Sequence, residues 1–433
     1  MLNESGCRTP DPTERWLKRS LVAVTELSLL LRRACVLGLA LGILAAKPAD
    51  AAESGLPLGP LVAKPGVTVT GLFDSNVYRD ATSPEPDFGL AVKPYFGLVY
   101  PGEDFRFTFD AYYRFFTYFN LGGNNHNVFR RVTHFGLGTS LDVGRTRKVG
   151  FSTSPQFYNS PSLRGFGDGT EQNLGVEVPL ALHLRPTRAF GVDVYGGWKW
   201  NRAYFSPTLV SSSPIILGNR HELGGGVAVD WKFFPRSHMV LDGNFGRILW
   251  GPQSPEAPFA VQDPAWFWRV WYGLKGDISR KLSFMAMIGY GNIYFDSGSG
   301  TPGLTGPSGF LGKAEFAIRP VTTQRLAIGF SRDFGFAYYT NRIENTQAYF
   351  KYQGLFFQRL GATFDFSWTL RNLVGHVTRT EHQWTAGVGI EVMVAEFFHV
   401  EAGYRFSAVN PSSDNTGEYI DNLVQLGFTL GFK

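Results

Sequence analysis

The chain has 433 residues, of which 15% are aromatic, 51 are glycine and only 18% are charged. Composition is even after residue 65, so a single large domain is expected, and so low a charged fraction excludes an ordinary water-facing surface. The net charge of +5 is spread along the chain with no concentrated basic face, which argues against a nucleic-acid partner.

Arg32 and Arg33 precede an apolar run from Ala34 to Ala46, followed by Lys47, Pro48 and the small-residue pattern Ala49, Asp50, Ala51. This is the layout of a secretory signal peptide covering residues 1–51, with cleavage after Ala51 or Ala52. Cys35 lies before the apolar core, which argues against lipoprotein-type cleavage, and the lead of about 31 residues before that core is long, as a misplaced start codon would make it. Both cysteines, Cys7 and Cys35, fall inside this segment. The mature chain would then have no disulfide and no thiolate metal site, and 34 basic against 31 acidic residues.

No later stretch approaches the ~18 consecutive apolar residues that a membrane helix needs. A closed barrel is the other way to satisfy every backbone group inside hydrocarbon, and its strands are read by alternation. After a short N-terminal segment over residues 52–65, expected in the periplasm, residues 66–433 read as a transmembrane antiparallel β-barrel of the Gram-negative outer-membrane type. Strands are expected near 67–77, 89–100, 104–118, 131–143, 147–158, 172–184, 189–203, 220–233, 237–249 and 265–278. Others follow near 281–295, 309–319, 324–336, 346–356, 359–369, 381–394, 396–408 and 421–432. The clearest run is 381–394, where Trp384, Ala386, Val388, Ile390, Val392 and Val394 alternate with Gln383, Thr385, Gly387, Gly389 and Glu391. The count is about 18, with 16 or 20 as alternatives.

Connections alternate between short turns, such as Pro101 to Glu103 and Pro320 to Thr323, and longer segments rich in Gly, Ser, Pro and Asn, such as Asn120 to Arg130 and Ser206 to Asn219. Short turns belong on the periplasmic side together with both termini, and long loops outside. A soluble sandwich also alternates but would carry polar residues on its outer face. A propeller would show a repeat of fixed length, and none is evident.

The polar face predicts a lining of mixed charge. Its bases are Lys93, Arg106, Arg114, Lys199, Lys232, Arg269, Lys275, Lys313, Lys351 and Arg405. Its acids include Asp110, Asp142, Glu177, Asp193, Glu222, Asp230, Asp242, Glu315, Asp365, Glu391 and Glu401. For any one of these residues a cross-strand salt bridge within the wall is the simpler role, whereas the lining as a whole implies a hydrated interior. Trp198, Trp200, Tyr204, Trp250, Trp266 and Trp268 read as interfacial girdle. Phe267 and Trp271 are predicted inward, where they could instead stack on sugar rings.

No catalytic constellation is legible. His126, His134, His221, His376 and His382 fall at or near predicted loops without metal-ligand spacing, and none shares a short motif with Ser and Asp. Gly224, Gly225 and Gly226 lack the following helix that a phosphate cradle needs. No metal and no cofactor are expected. A hydrolase with a spatially assembled triad stays open as an alternative from another class.

The segment Gly71, Leu72, Phe73, Asp74, Ser75, Asn76, Val77, Tyr78, Arg79 resembles the beta-barrel porin type 2 family, whose members commonly open with an aromatic, Asp, Ser, Asn, Val, aromatic, Arg sequence. The resemblance implies an outer-membrane barrel encoded with capsule, exopolysaccharide or spore-coat machinery of the myxobacterial type. It also implies pairing with a periplasmic polysaccharide-export protein, and it brings no catalytic residues. Val424, Leu426, Phe428, Leu430 and Phe432 resemble the C-terminal signal read by the barrel-assembly machinery, although Lys433 follows. Export of a surface polysaccharide is therefore the leading functional expectation. A general diffusion porin for small polar solutes is the alternative, and outer-membrane lipid and lipopolysaccharide are the surroundings in either case.

Overall fold

The structure is a computed structural model that describes residues 55–77, 84, 86–119, 132–144, 146–162, 170–206, 215–251, 263–296, 309–336, 342–374, 379–411 and 418–432. The expected signal peptide and the greater part of the long connections lie outside these residues, as do Tyr78 and Arg79 of the family-like segment.

The strands are β1 (Leu56–Leu58), β2 (Leu61–Asp74), β3 (Asp87–Pro101), β4 (Phe105–Tyr118), β5 (Val132–Val143), β6 (Val149–Thr153) and β7 (Gln156–Ser162). Then come β8 (Thr170–Leu184), β9 (Phe190–Ser206), β10 (Ile215–Phe234), β11 (Ser237–Trp250), β12 (Ala265–Asp277), β13 (Leu282–Phe295) and β14 (Gly309–Ile318). The chain ends with β15 (Gln324–Gly335), β16 (Arg342–Phe356), β17 (Leu360–Val374), β18 (Arg379–Ala395), β19 (Phe398–Pro411) and β20 (Tyr419–Gly431). β6 and β7 both pair with β5 and β8, so they are two halves of one stave. The break falls at Pro155, which has no N–H to give a ladder. β1 is a short flap paired only with β2.

Eighteen staves remain, each antiparallel to its neighbours, and β2 pairs with β20 from Gly66↔Gly431 to Asp74↔Leu423. That last ladder closes the sheet on itself and removes the free edges a flat sheet would leave. Unbroken staves run from 10 residues in β14 to 20 in β10, enough for tilted strands to cross hydrocarbon.

The outer surface shows what surrounds the barrel. Phe245 is 52% exposed and Ile288 59%, and Leu223, Ile328, Val388 and Leu426 are exposed in the same way, each on the outer side of its strand. Leaving one such side chain in water costs about 1.5–3 kcal/mol relative to burying it. Repeated around the whole circumference, that cost excludes an aqueous exterior and fits hydrocarbon, where a closed ladder lets neighbouring strands satisfy each other's backbone groups. The protein is a closed transmembrane β-barrel of eighteen antiparallel staves.

Three strands depart most from the sequence expectation, and one of them, β17, runs on to Val374, five residues past the expected end at 369. β2 begins at Leu61 and not near residue 67, so the wall reaches back into the segment expected to precede it. β20 ends opposite Gly66, which leaves Val62 to Pro65 to pair with β3 on one side and, through Ala63 and Val62, with β1 on the other. β10 begins at Ile215, inside the expected loop 206–219, because Ile215 and Ile216 find partners in the equally long β9 across a register shift before Gly218.

Candidate functional site

Alternation fixes the inner face. Phe96, Phe105, Phe115, Trp198, Trp231, Val270, Leu274, Phe316, Phe364, Phe366, Ile390, Val392 and Tyr404 are exposed on the outside. The positions of opposite parity on the same strands, Lys93, Arg106, Asp110, Arg114, Lys199, Asp230, Lys232, Arg269, Lys275, Glu315, Asp365, Glu391, Glu401 and Arg405, therefore lie on the opposite face.

Many of these inner groups meet in pairs. Lys275 Nζ lies 2.6 Å from Asp230 Oδ2, and His238 Nδ1 lies 2.5 Å from Oδ1 of the same carboxylate. Glu315 takes Arg325 at 2.5 Å and the Tyr349 hydroxyl at 2.6 Å; Lys199 lies 3.4 Å from Glu177, and His399 3.1 Å from Glu391. Lys93 sits 4.5 Å above the Tyr112 ring, whose hydroxyl bonds His134 at 2.9 Å. Pairs this open to water are worth about 0–1 kcal/mol each, so they brace the wall more than they stabilise the fold.

The inner face is not uniformly polar. Ile248, Ala265, Phe267, Trp271, Ile293, Leu311 and Phe334 form a buried apolar cluster on β11 to β15. Two glycines make room for it: a Cβ on Gly246 would stand 2.5 Å from the Phe267 ring, and one on Gly289 2.8 Å from Trp271. Phe267 and Trp271 do point inward, but they are only 4% and 3% exposed. Arg269 lies 5.0 Å over Phe267 and Lys313 Nζ 4.3 Å over Trp271, so neither ring presents an open face to a passing sugar.

The cluster is capped where the β15–β16 pair runs on past the end of β14, with Asp333, Phe334 and Gly335 still laddered to Asn345, Glu344 and Ile343. β15 pairs with β14 only as far as Arg332, because β14 begins its shared ladder at Gly312. Beyond that point Asp333 and Phe334 turn inward. The Arg269 guanidinium donates to the Phe334 carbonyl at 2.7 Å, lies 3.3 Å from Asp333 and stands 4.3 Å over the Phe334 ring. Two residues on, the Phe336 carbonyl accepts from Arg220 Nη1 at 3.2 Å, and the Phe336 ring packs 5.7 Å from Phe267. Arg220 belongs to β10, with four staves between it and β15. The bond is therefore a chord across the interior, and the segment 333–336 is a hook that narrows the lumen toward the long-loop end. Toward the short-turn end the inner wall opens into concavities of about 640 Å³, lined in part by Arg325, Thr363, Glu391 and Glu401, and about 580 Å³, lined in part by Arg106, Asp142 and His183.

A second inward device is built from the family-like segment. Asp74 and Asn76 are each 1% exposed. Asp74 Oδ1 accepts from the Asn76 backbone N–H at 2.9 Å, and its Oδ2 accepts from the Tyr118 hydroxyl at 2.7 Å. Asn76 Nδ2 donates to the Ile420 carbonyl at 3.1 Å, and Ser75 Oγ accepts from the Asn422 N–H at 2.8 Å. The Asp, Ser, Asn run thus ties the end of β2 to β4 and β20 where the barrel closes.

His134, His221 and His382 lie in β5, β10 and β18, within the strands expected near 131–143, 220–233 and 381–394, where they meet Tyr112, Trp198 and Trp368. His126 and His376 are outside the described residues. A Ser–His–Asp line that the sequence hid does exist: Ser152 Oγ lies 2.8 Å from His183 Nε2, and His183 Nδ1 lies 2.8 Å from Asp193 Oδ1. The three residues come from adjacent staves, and only the short turn between His183 and Asp193 signalled any part of it. Two features separate it from an activated nucleophile. Ser152 pairs with Asp142 on one side and Ala181 on the other, so the local backbone is engaged in ladders and not free to hold an oxyanion. Arg185 lies 2.6 Å from the same Asp193 oxygen and competes for the charge that would orient the imidazole. No group of three His, Cys, Asp or Glu suited to a metal occurs among the described residues.

No family model matches the chain, and no curated protein sequence does. Solved structures with a similar course of the chain include OpdO of Pseudomonas aeruginosa, at 11% identity and TM-score 0.45, covering 86% of this chain and 98% of that one. A BenF-like porin from Pseudomonas fluorescens Pf-5 matches at 10% identity and TM-score 0.46, covering 86% and 99%. The FrpB iron transporter from Neisseria meningitidis matches at 8% identity and TM-score 0.48, covering 85% and 81%. At such identities no residue role passes from those proteins to this chain.

Proposed function

We propose that the barrel is a diffusion channel for small polar solutes, with the short turns and both chain ends on the periplasmic side. The hook carries this reading. A long hydrated polymer needs a bore that stays wide along its whole length, whereas here chain segment 333–336 and the apolar cluster beneath it fill one side of the interior. The concavities nearer the short turns provide a polar vestibule whose charges are in part paired, Arg325 with Glu315 and His183 with Asp193, which suits weak, transient contact with solutes that must leave again. Export of a surface polysaccharide, which the Asp74 to Arg79 resemblance implies, would require the hook to move aside.

Orientation is tested by labelling. Cysteines placed at Ser212, Ser299 or Ser412, all in long connections, react with an impermeant maleimide on intact cells, and T322C does not; the opposite pattern would invert the barrel. Lumen width is tested at two inward glycines on β18. A Cβ on Gly387 would lie 2.6 Å from the Asp365 carboxylate and one on Gly389 2.6 Å from the Thr363 hydroxyl, so larger side chains there must project into the vestibule. The pair G387W and G389W lowers conductance in planar bilayers while the folded, heat-modifiable band persists on gels. Unchanged conductance would place the permeation path elsewhere.

A further inference from the structure

The two rims of the barrel differ in charge. The eight connections at the end that holds Leu61 and Gly431 contain ten Lys or Arg and three Asp or Glu. The nine connections at the other end contain four and eight. At the short-turn rim Arg147 is answered by Asp104 and Arg185 by Asp193. The Thr146 hydroxyl and Arg147 together hold the Asp104 carboxyl below the usual carboxylate range, so that acid is committed within the turn. Lys148, Arg188, Arg236, Lys281, Arg319 and Arg359, one from each of six turns, are all exposed, Arg319 at the mouth of the larger concavity, and none has a carboxylate partner among the described residues.

Apolar side chains stand at the same level. Phe234, Ile278 and Val321 are at least half exposed, and Phe357 is 91% exposed. Phe357 and Gln358 occupy the tip of their turn with φ of 50° and 60°, left-handed values that favour Gly or Asn. A bulky residue held there with no internal packing in return suggests an external contact. The bases occupy six successive turns from β5 to β17, an arc of twelve staves, while the two turns flanking the closure carry Glu103, Asp104 and Glu396. A ligand that follows so long an arc at the level of short turns is the bilayer surface itself.

The geometry points to anionic phospholipid headgroups as the partner of this rim, their phosphates met by the unpaired turn bases and their acyl boundary by the exposed apolar side chains. The assignment of those headgroups to the periplasmic leaflet rests on the orientation proposed above. Native mass spectrometry of the folded full chain in detergent micelles, with phosphatidylglycerol or phosphatidylcholine added as probe, reads the interaction directly. Wild type retains phosphatidylglycerol over phosphatidylcholine by about fivefold or more, as one surface base alone would give, and salt erodes the preference. The sixfold variant K148S, R188S, R236S, K281S, R319S, R359S retains both lipids equally. A threefold variant, R188S, R236S, R319S, shows an intermediate preference and decides the matter if the sixfold one does not fold.

Equal retention by wild type, a preference that ignores salt, or an undiminished preference in the variants would overturn the proposal. Binding of an acidic periplasmic protein through the same bases, with phosphatidylglycerol ignored, would overturn it in favour of a protein partner. The micelle measurement does not depend on orientation. A phosphatidylglycerol preference combined with surface labelling of T322C would therefore sink the orientation and leave the headgroup site standing.

Discussion

Replacing Arg269 and Arg220 together with glutamine raises single-channel conductance roughly twofold, since pore electrostatics and radius set ion flow. Arg269 makes three contacts to the hook, namely the Phe334 carbonyl, Asp333 and the Phe334 ring, and Arg220 supplies the chord to Phe336. Glutamine keeps some volume but loses the charge that answers Asp333 and the fork geometry that reaches both carbonyl and carboxylate. The segment 333–336 then keeps its ladder to β16, the Arg342 contact to the Phe334 ring and its packing on Phe267, but it loses its polar ties across the interior and spends more time away from the bore. The two changes act on one segment, so each alone has a smaller effect and the pair is not additive. A double variant that conducts like wild type would show that the hook does not set the narrowest section.

The largest loss of stability is expected at the barrel closure. Tyr118→Phe leaves one oxygen of the buried Asp74 carboxylate without its donor, at a cost of about 1–3 kcal/mol. Asp74→Ala removes the acceptor for both Tyr118 and the Asn76 N–H, and it costs about as much again because two donors lose their partner in a site where both Asp74 and Asn76 are buried. The measurement is the urea midpoint for loss of the heat-modifiable folded band, with Phe116→Leu, on the same inner face but outside the Asp74 bonds, as a reference. A Tyr118→Phe midpoint equal to wild type would mean that water serves Asp74 as well as the tyrosine does.

Much of the fold was legible because a barrel writes a single rule into every strand. In β18 the alternation of Trp384, Val388 and Ile390 with Gln383, Gly387 and Glu391 identifies both faces at once, and the same rule placed the eighteen staves. It failed where local rules gave way to closure. Leu61 to Pro65 contain a proline and little alternation, and they became strand because β3 and the flap β1 supply partners. The site was legible only in part. Parity alone assigns Arg269 and Trp271 to the inner face, but no pattern says that Phe334 leaves the outer parity of Ile328 and Phe330 to turn inward. That departure depends on how far β14 extends beside β15, a property of two strands and not of either sequence. The Ser152, His183 and Asp193 line was hidden for the same reason, since cross-strand neighbours need the register. The Asp74 to Asn76 run was visible as a motif, yet its purpose required Tyr118 and Asn422, far along the chain in sequence.

Vesicle swelling distinguishes a lumen that passes small polar solutes and excludes long chains from one that conducts a polymer. The purified, refolded barrel is placed in vesicles and challenged with an isosmotic series of neutral sugars from monosaccharide to long oligosaccharide. A lumen narrowed by the hook gives rapid swelling with the smallest sugars, a steep fall as the chain lengthens, and a shift of that fall to longer chains in the Arg269, Arg220 double variant. Entry of long oligosaccharides into wild-type vesicles at rates near those of the monosaccharides would contradict it and favour a polymer conduit.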